Sequence, residues 1–152
     1  MRLFQKFAEF FNLRARHLPP DASHIERGRF GEDLAAHYCK KQLGYKLLLR
    51  NWRCRGGEID LICRDGKVLV FIEVRLRQAG ALIAGVDSID KKKKAILSKA
   101  CRNFLSQTPA PVLHFRFDII DVALNEEGVG KVRHFANVPL FSKHYTAKSY
   151  SK

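Results

Sequence analysis

The segment GEIDLICRDGKVLVFIEVRLR, residues 57–77, reads as two β-strands joined by a tight turn. Asp65-Gly66 is the turn signal, because a two-residue loop that needs positive φ at its central positions favours this pair. Such a loop also sets the pairing of the strands on either side of it. We therefore expect Arg64 to pair with Lys67.

This register predicts one charged face and one apolar face, because side chains alternate along a strand. Asp60 then lies opposite Phe71, and Glu58 lies opposite Glu73. The charged face carries Glu58, Asp60, Glu73 and Arg75. The apolar face carries Ile59, Leu61, Val68, Val70, Ile72 and Val74.

The carboxylates on the charged face repel one another unless a cation lies between them. A divalent metal ion satisfies this requirement, and oxygen ligands alone favour Mg²⁺ or Mn²⁺ over zinc. A second interpretation stays open. Glu58 and Asp60 are then solvent-facing residues at a strand end, neutralised by Arg75 and Arg77.

Asp60, followed thirteen residues later by Glu73-Val74-Arg75, resembles the Asp and (Asp/Glu)-x-Lys signature of the restriction-endonuclease-like PD-(D/E)xK nucleases. With residues 28–32 (GRFGE), 57–60 (GEID) and 71–75 (FIEVR), the chain is similar to the bacterial YraN family. That group is uncharacterised and similar to archaeal Holliday-junction resolvases. The resemblance covers residues 25–138, and three motifs in order are more specific than the signature alone.

The resemblance implies a metal-dependent nuclease site. Asp60 and Glu73 would hold Mg²⁺ or Mn²⁺ together with the carbonyl of Val74. Glu32 matches the helix glutamate that completes the acidic site in resolvase-like members, and Glu58 is a further candidate metal ligand. For Glu32 the alternative is an ion pair with Arg29, Arg53 or Arg55.

Arg75 departs from the family pattern, since most of the superfamily has lysine at this position. Arginine stays protonated at any working pH, so Arg75 can stabilise transition-state charge but is a poor general base. Lys93 lies about 40° from Ile89 on a helical wheel and therefore faces the sheet. We infer that Lys93 takes part of the lysine's catalytic role. The alternative is a stem that packs while its ammonium group reaches solvent.

The chain is strongly basic, with 28 Lys and Arg against 15 Asp and Glu and a formal net charge of +13. Such an excess favours a polyanionic partner, because phosphate neutralisation releases counterions. We expect DNA before RNA, while anionic lipid is the competing partner. The candidate nucleic-acid-binding residues are Arg29, Arg53, Arg55, Arg77, Lys91, Lys92 and Lys94.

Other classes of function are less well supported by the sequence. The four cysteines are widely spaced and read as free thiols of a reducing compartment. The six histidines form no recognisable pair with a Ser or Cys nucleophile. The sequence has no transmembrane run, and its N-terminus lacks the apolar core of a signal peptide, so we expect a cytoplasmic protein.

The elements predict an α/β fold. Ser23 to Glu26 has the form of a capping box for a helix that runs to Leu43. Strands are expected at 45–54, in the 57–77 hairpin, at 114–124 and at 131–138, with the last at an edge. A second helix, with Ser88 as N-cap, ends before Pro109. This order matches the αβββαβ core of restriction-endonuclease-like folds, a mixed central sheet flanked by helices.

We divide the chain into an N-terminal amphipathic extension at 1–20, a restriction-endonuclease-like domain at 21–139 and a basic tail at 140–152. Residues 1–18 place phenylalanines and basic residues at helical spacing. Such a helix can cover its own domain, dock on a partner or contact a membrane surface weakly.

The predicted function is metal-dependent hydrolysis of phosphodiester bonds in DNA, including branched or structured DNA. The alternative is a non-catalytic DNA-binding accessory protein of the same fold. Resolvase-like relatives imply a homodimer.

Overall fold

The computed structural model describes residues 17–80, 89–128, 130–143 and 145–147. Its elements are, in chain order, α1 (His24–Lys41), β1 (Lys46–Cys54), β2 (Gly57–Asp65), β3 (Val68–Gln78), α2 (Lys91–Gln107), β4 (Phe115–Leu124) and β5 (Gly130–Phe135). This order confirms the predicted αβββαβ core. The proposed helix in the first residues lies outside the described ranges. The expected N-cap at Ser88 is wrong, because α2 begins after Asp90.

All five strands form a single mixed sheet with the order β1-β2-β3-β4-β5. β3 and β4 are parallel, and the other neighbours are antiparallel. A parallel pair needs a long crossover, and the segment that contains α2 supplies it. β5 lies at one edge, as predicted.

The two helices give the sheet two separate apolar layers. α1 packs on β3, β1 and β5 and covers a cluster that includes Leu61, Val70 and Ile72. α2 packs on β2 and β1 and covers a cluster that includes Phe71 and Leu97. The central strands are therefore buried on both faces. No helix in the described ranges is long and apolar enough to cross a membrane.

The capping box at the start of α1 is confirmed. The Glu26 N–H donates to Oγ of Ser23, and the Ser23 N–H donates back to Oε2 of Glu26 at 2.8 Å. The helix ends at Lys41, two residues before the expected position. Gly44 follows with φ +69°, the left-handed conformation that favours glycine after a helix.

α2 begins at Lys91 with Asp90 as its N-cap. The Asp90 carboxylate accepts a hydrogen bond from the Lys93 N–H at 2.7 Å. The lysines at 91–94 therefore occupy the first turn of the helix, where the dipole disfavours cations. Asp90 offsets part of that cost, because a carboxylate is favourable at a helix N-terminus.

The expected hairpin register is wrong by two residues. Asp65 pairs with Val68, so the two-residue loop is Gly66-Lys67 rather than Asp65-Gly66. The reason lies in the turn: Gly66 takes φ +56° at the first loop position, where a type II′ turn places glycine. A shift of two residues preserves the alternation, so β3 keeps its predicted faces.

The predicted apolar face is also interrupted. Leu61 belongs to the cluster beneath α1, whereas Ile59 and Ile62 belong to the cluster beneath α2. Ile59 is therefore not on the face of Leu61, and the alternation of β2 breaks at Asp60. The pairing of β2 with β3 is regular from Asp65 only to Leu61.

Gly31 lets α1 approach the sheet closely. A Cβ at Gly31 would lie 3.4 Å from Cβ of Leu76 and 3.8 Å from Cγ1 of Val74. Gly28 has no such neighbour, since a Cβ there would meet nothing within 4 Å.

Both ends of the domain pack onto it. The Leu18 N–H donates to the Gly128 carbonyl at 3.2 Å, which ties the start of the described chain to the β4–β5 turn. At the other end Leu140, Phe141 and Tyr145 pack against the cluster beneath α2. The described part of the predicted tail therefore packs on the domain and extends the apolar cluster beneath α2.

Alanine substitutions at Gly66, in the β2–β3 turn, and at Gly28, in α1, test the conformation of the turn. Gly66→Ala should lower the free energy of unfolding by about 1–2 kcal/mol, because a Cβ is strained at positive φ. Gly28→Ala is the matched control and should raise it by about 0.5–1 kcal/mol, since alanine is the better helix former and the site is open. Urea denaturation of both variants measures the difference. Effects of the same sign would contradict this turn.

Candidate active site

Asp60 lies where the β2–β3 pairing ends. The Val74 N–H, instead of pairing with the β2 backbone, donates to Oδ2 of Asp60 at 2.7 Å. This hydrogen bond turns the half-buried carboxylate of Asp60 towards β3. It also fixes Asp60 beside the Glu73-Val74-Arg75 motif, so the two parts of the sequence signature meet.

Glu73 is buried, with only 4% of its surface exposed. Nζ of Lys93 lies 3.2 Å from Oε1 of Glu73, and Nη1 of Arg75 lies 3.7 Å from the same oxygen. The second oxygen, Oε2, is buried and has no hydrogen-bond partner among the described residues. An unpaired buried carboxylate oxygen is costly, so Oε2 is a position where a ligand would be stabilised.

The electrostatics of Asp60 reflect its neighbours. Burial, followed by the negative charge of Glu73, raises the pKa of Asp60 to about 7, against an opposing effect of the Val74 hydrogen bond. The charge of Glu32 raises the pKa further, and that of Lys93 lowers it. Asp60 and Glu73 therefore form a repelling pair that favours the uptake of a proton or a cation.

A buried carboxylate on the opposite face of the sheet provides a contrast. Asp118 is held by Arg116 Nε at 3.0 Å, by His134 Nε2 at 2.9 Å and by the Asn137 N–H at 2.9 Å. Burial acts to raise its pKa, but these hydrogen bonds outweigh burial and lower it. Asp118 thus has the partners of a structural ion pair, whereas one buried oxygen of Glu73 has no hydrogen-bond partner in the part of the chain that the structure describes.

Glu32 lies on α1 with 18% of its side chain exposed. Its ion-pair partner is Arg50 of β1, at 3.8 Å, and not Arg29, Arg53 or Arg55 as the alternative interpretation expected. Arg50 is shared, since it also donates to Oδ1 of Asp33 at 2.7 Å. Glu32 is close enough to raise the pKa of Asp60 through its negative charge. Its ion pair with Arg50 connects it to β1.

The donor set fits a metal ion held by few protein ligands. Within the described ranges no group of three or more His, Cys, Asp or Glu side chains is close enough to hold a metal. Among the acids predicted as ligands, Glu73 has the strongest electrostatic effect on Asp60, followed by Glu32. Glu58 instead pairs with Arg53, with Nε 3.2 Å from Oε2. One or two carboxylates with waters is the usual protein share of a Mg²⁺ site, so the pair of Asp60 and Glu73 fits Mg²⁺ or Mn²⁺.

Lys93 faces the sheet, as the helical wheel predicted. Its side chain is 39% exposed while Nζ contacts Glu73, so it reaches both the buried acid and solvent. Arg75 is 34% exposed beside the same acid. Two cations therefore flank Glu73 at the solvent boundary, where a phosphate could contact them.

The remaining predicted basic residues are spread over the surface. Arg29, Arg55, Lys91 and Lys92 are exposed, and Lys94 is half-buried. Arg53 is exposed and engaged with Glu58. Trp52 packs edge-on against Phe104, with ring centroids 5.3 Å apart, which supports a core role over base stacking.

Sequence reasoning missed one part of this face. Arg77 of β3 lies 3.7 Å from Oδ1 of Asp121, a fully buried acid that pairs through Oδ2 with Arg133 at 3.3 Å. A signal for Asp121 was present, because it alternates with Phe117 and Ile119 and so faces inward. Arg133 had no such signal, since its pairing depends on the strand order.

The raised pKa of Asp60 predicts a pH-dependent stability. Between about pH 4 and pH 7 the folded protein binds this proton more tightly than the unfolded chain, so stability falls as the pH rises through that interval. Asp60→Asn keeps an acceptor for Val74 and removes the charge. The variant should gain about 1–3 kcal/mol over the wild type between pH 5 and pH 8 without metal.

Urea denaturation at several pH values measures this gain. Asp21→Asn, at an exposed position, is the charge-matched control and should follow the wild type. A curve for Asp60→Asn parallel to that of the wild type would show that Asp60 carries no such penalty.

Comparison with known proteins agrees with these motifs. A model of the group described as "Uncharacterised protein family UPF0102" matches residues 31–122, which include Glu32, Asp60, Glu73 and Lys93. A UPF0102 protein of Parafrankia sp. (strain EAN1pec) is 39% identical over 107 residues, which cover 70% of this chain and 90% of the relative. A UPF0102 protein of Geobacter sulfurreducens is 36% identical over 119 residues, covering 77% of this chain and 92% of the relative. The chain therefore belongs to the UPF0102 (YraN) family, as its three motifs indicated.

Proposed function

We propose that this protein is a Mg²⁺- or Mn²⁺-dependent endonuclease that hydrolyses phosphodiester bonds in DNA, including branched or structured DNA. The observation that carries the proposal is the pairing of half-buried Asp60 with buried Glu73, whose Oε2 is unpaired among the described residues. A pair of this kind at the solvent boundary of a strongly basic chain fits phosphoryl chemistry better than a structural role.

In this proposal Asp60 and Glu73 hold the metal, with the carbonyl of Val74 as an additional ligand. When bound, the metal lowers the pKa of a water ligand and draws charge from the scissile phosphate. Asp60 is preorganised by the Val74 hydrogen bond, so little conformational entropy is lost on binding. Glu32, which pairs with Arg50, would orient a water from the α1 side.

The two cations that contact Glu73 would supply transition-state stabilisation. Arg75 keeps its charge at every working pH and contributes a fixed positive group beside the phosphate. Nζ of Lys93 has a shorter contact to Glu73, at 3.2 Å, and a partly exposed stem. The Lys93 ammonium group could therefore leave Glu73 and contact a phosphate oxygen through a side-chain movement alone.

The basic surface would supply affinity for the polymer. Lys91 and Lys92 are exposed in the first turn of α2, next to Lys93. Cations at this position weaken the helix, and contact with phosphates would offset that cost. The exposed first turn therefore leads the substrate backbone towards the acidic pair.

A second candidate function is DNA binding without cleavage. The ion pairs of Arg75 and Lys93 with Glu73 favour it, because they already neutralise one oxygen of the acid. Such a protein would show salt-sensitive DNA binding with no metal-dependent products. The nuclease proposal requires salt-sensitive DNA binding together with metal-dependent cleavage products.

Conservative amide variants test the acidic pair. Asp60→Asn and Glu73→Gln should each lower the rate of cleavage at least about 100-fold, because each removes a charged metal ligand. DNA binding should persist or strengthen, since a negative charge is lost. Glu58→Gln is the matched control from the same hairpin and should change the rate less than about tenfold, because Glu58 is engaged by Arg53.

Gel-resolved cleavage of a four-way junction and a linear duplex, with and without Mg²⁺ or Mn²⁺, gives the rates. Equal losses in all three variants would point to a general effect on the hairpin rather than to a metal site. Absence of products from the wild type on every DNA tested would favour the binding protein.

Lys93 and its neighbour Lys92 separate chemistry from affinity. Lys93→Ala should lower kcat at least about tenfold with a small change in KM, because its Nζ acts at the phosphate. Lys92→Ala removes the same charge from an exposed position and should raise KM while leaving kcat nearly unchanged. Steady-state cleavage of both variants measures this. A KM effect alone in Lys93→Ala would assign Lys93 to binding.

A further inference from the structure

Asp121 is a second buried acid on the face of the sheet that carries Glu73. It is fully buried on β4, and arginines from both neighbouring strands approach it. Nε of Arg77 lies 3.7 Å from Oδ1, and Nη2 of Arg133 lies 3.3 Å from Oδ2. A buried carboxylate needs such partners, so Asp121 fixes the positions of two guanidinium groups.

The two arginines differ in what they present to solvent. The side chain of Arg77 is 14% exposed, whereas that of Arg133 is 41% exposed. The guanidinium of Arg133 also lies 5.9 Å from the centre of the Phe135 ring. It is therefore located by Asp121 and by Phe135 while part of its fork stays accessible, which is a preorganised arrangement for an oxyanion.

The strand register places this group beside the acidic pair. Glu73 lies opposite Ile119, and Asp121, two residues further along β4, lies opposite Arg75 and Arg133. Two residues of a strand span roughly 7 Å. One DNA strand carries a phosphate about every 3.4 Å along the helix axis, so this offset corresponds to about two phosphates.

We propose that Arg77, Asp121 and Arg133 form a phosphate clamp, which binds a phosphate one or two nucleotides from the scissile one. Asp121 is its positioning residue, the exposed Arg133 is its binding residue, and the mostly buried Arg77 helps to hold Asp121 in place. The three groups carry a net charge of +1 and present a planar donor fork. The clamp rests on the proposed function for its register, and the substrate strand then runs along the direction of β4 from the acidic pair to Arg133.

Asp121→Asn gives the sharpest test, because charge and positioning predict opposite signs. The variant has one more positive charge, so electrostatics alone would tighten DNA binding. Loss of the carboxylate that holds the arginines should instead weaken binding at least about threefold. Fluorescence anisotropy with a labelled duplex and a four-way junction, in chelator so that no cleavage occurs, measures the affinity.

Variants of Arg133 test the clamp without changing the buried Asp121, whose substitution could affect folding. Arg133→Ala should weaken binding about tenfold and reduce the slope of log K against log salt by about 1, the effect of one lost phosphate contact. Arg133→Lys keeps the charge but lacks the planar, bidentate donors of a guanidinium group. It should restore less than half of the log K that Arg133→Ala loses. Lys67→Ala, exposed in the hairpin turn at the far end of β3, is the charge-matched control and should stay within about twofold of the wild type.

The position of the contact is tested with DNA that carries a single neutral methylphosphonate. The cleavage position is first mapped with the wild type. Arg133→Ala should then no longer weaken DNA binding when the methylphosphonate lies one or two nucleotides from the scissile phosphate. Thermal unfolding of each variant confirms that it is folded. Tighter binding by Asp121→Asn, or equal binding by Arg133→Ala and Lys67→Ala, would overturn the clamp.

The affinity measurements do not depend on catalysis. In a protein that binds DNA without cutting it, Asp121→Asn would still weaken DNA binding if Asp121 positions the arginines, and would tighten it if only charge matters. Failure of the nuclease proposal and failure of the clamp are thus separate results.

Discussion

The hydrogen bond from the Val74 N–H to the Asp60 carboxylate organises the functional face of this protein. It lies where the β2–β3 pairing ends, and a side chain replaces a backbone acceptor there. Asp60 is thereby held close enough to Glu73 for the charge of Glu73 to raise the pKa of Asp60. That repulsion costs stability in the absence of a cation, which is the usual signature of residues kept for function rather than for folding.

The packing of the two helices makes this arrangement tolerable. α1 approaches β3 closely at Gly31, and α2 lies over β2 and β1. The end of the sheet near the start of α2 therefore carries charged side chains, while both apolar clusters lie beneath the helices. Lys93 connects the two regions, because its stem leaves the helix on the sheet side and its ammonium group contacts Glu73.

Local features of the sequence predicted much of the fold. The capping box, the alternation of β3 and the direction of Lys93 depend on neighbours within a few residues, and all three were found. The hairpin register was wrong because Asp65-Gly66 and Gly66-Lys67 are both acceptable loops, and only the conformation of Gly66 distinguishes them. The break in alternation at Asp60 could not be read from a pattern that treats every strand as regular.

Contacts between distant strands were beyond sequence reasoning. Arg50 reaches Glu32 only because α1 packs on β1, and Arg133 reaches Asp121 only because β5 lies beside β4. Charge counting predicted a basic surface but could not assign partners to individual arginines. The family motifs, by contrast, named Asp60 and Glu73 together, and in the structure Asp60 accepts a hydrogen bond from Val74, the residue that follows Glu73.

The central claim is that Asp60 and Glu73 form a site for a divalent metal. Anomalous diffraction from crystals soaked in Mn²⁺ tests it most directly. The metal-site hypothesis predicts a single strong anomalous peak between the Asp60 carboxylate and Oε2 of Glu73. The absence of a peak there, with Lys93 still paired to Glu73 at high Mn²⁺, would contradict it.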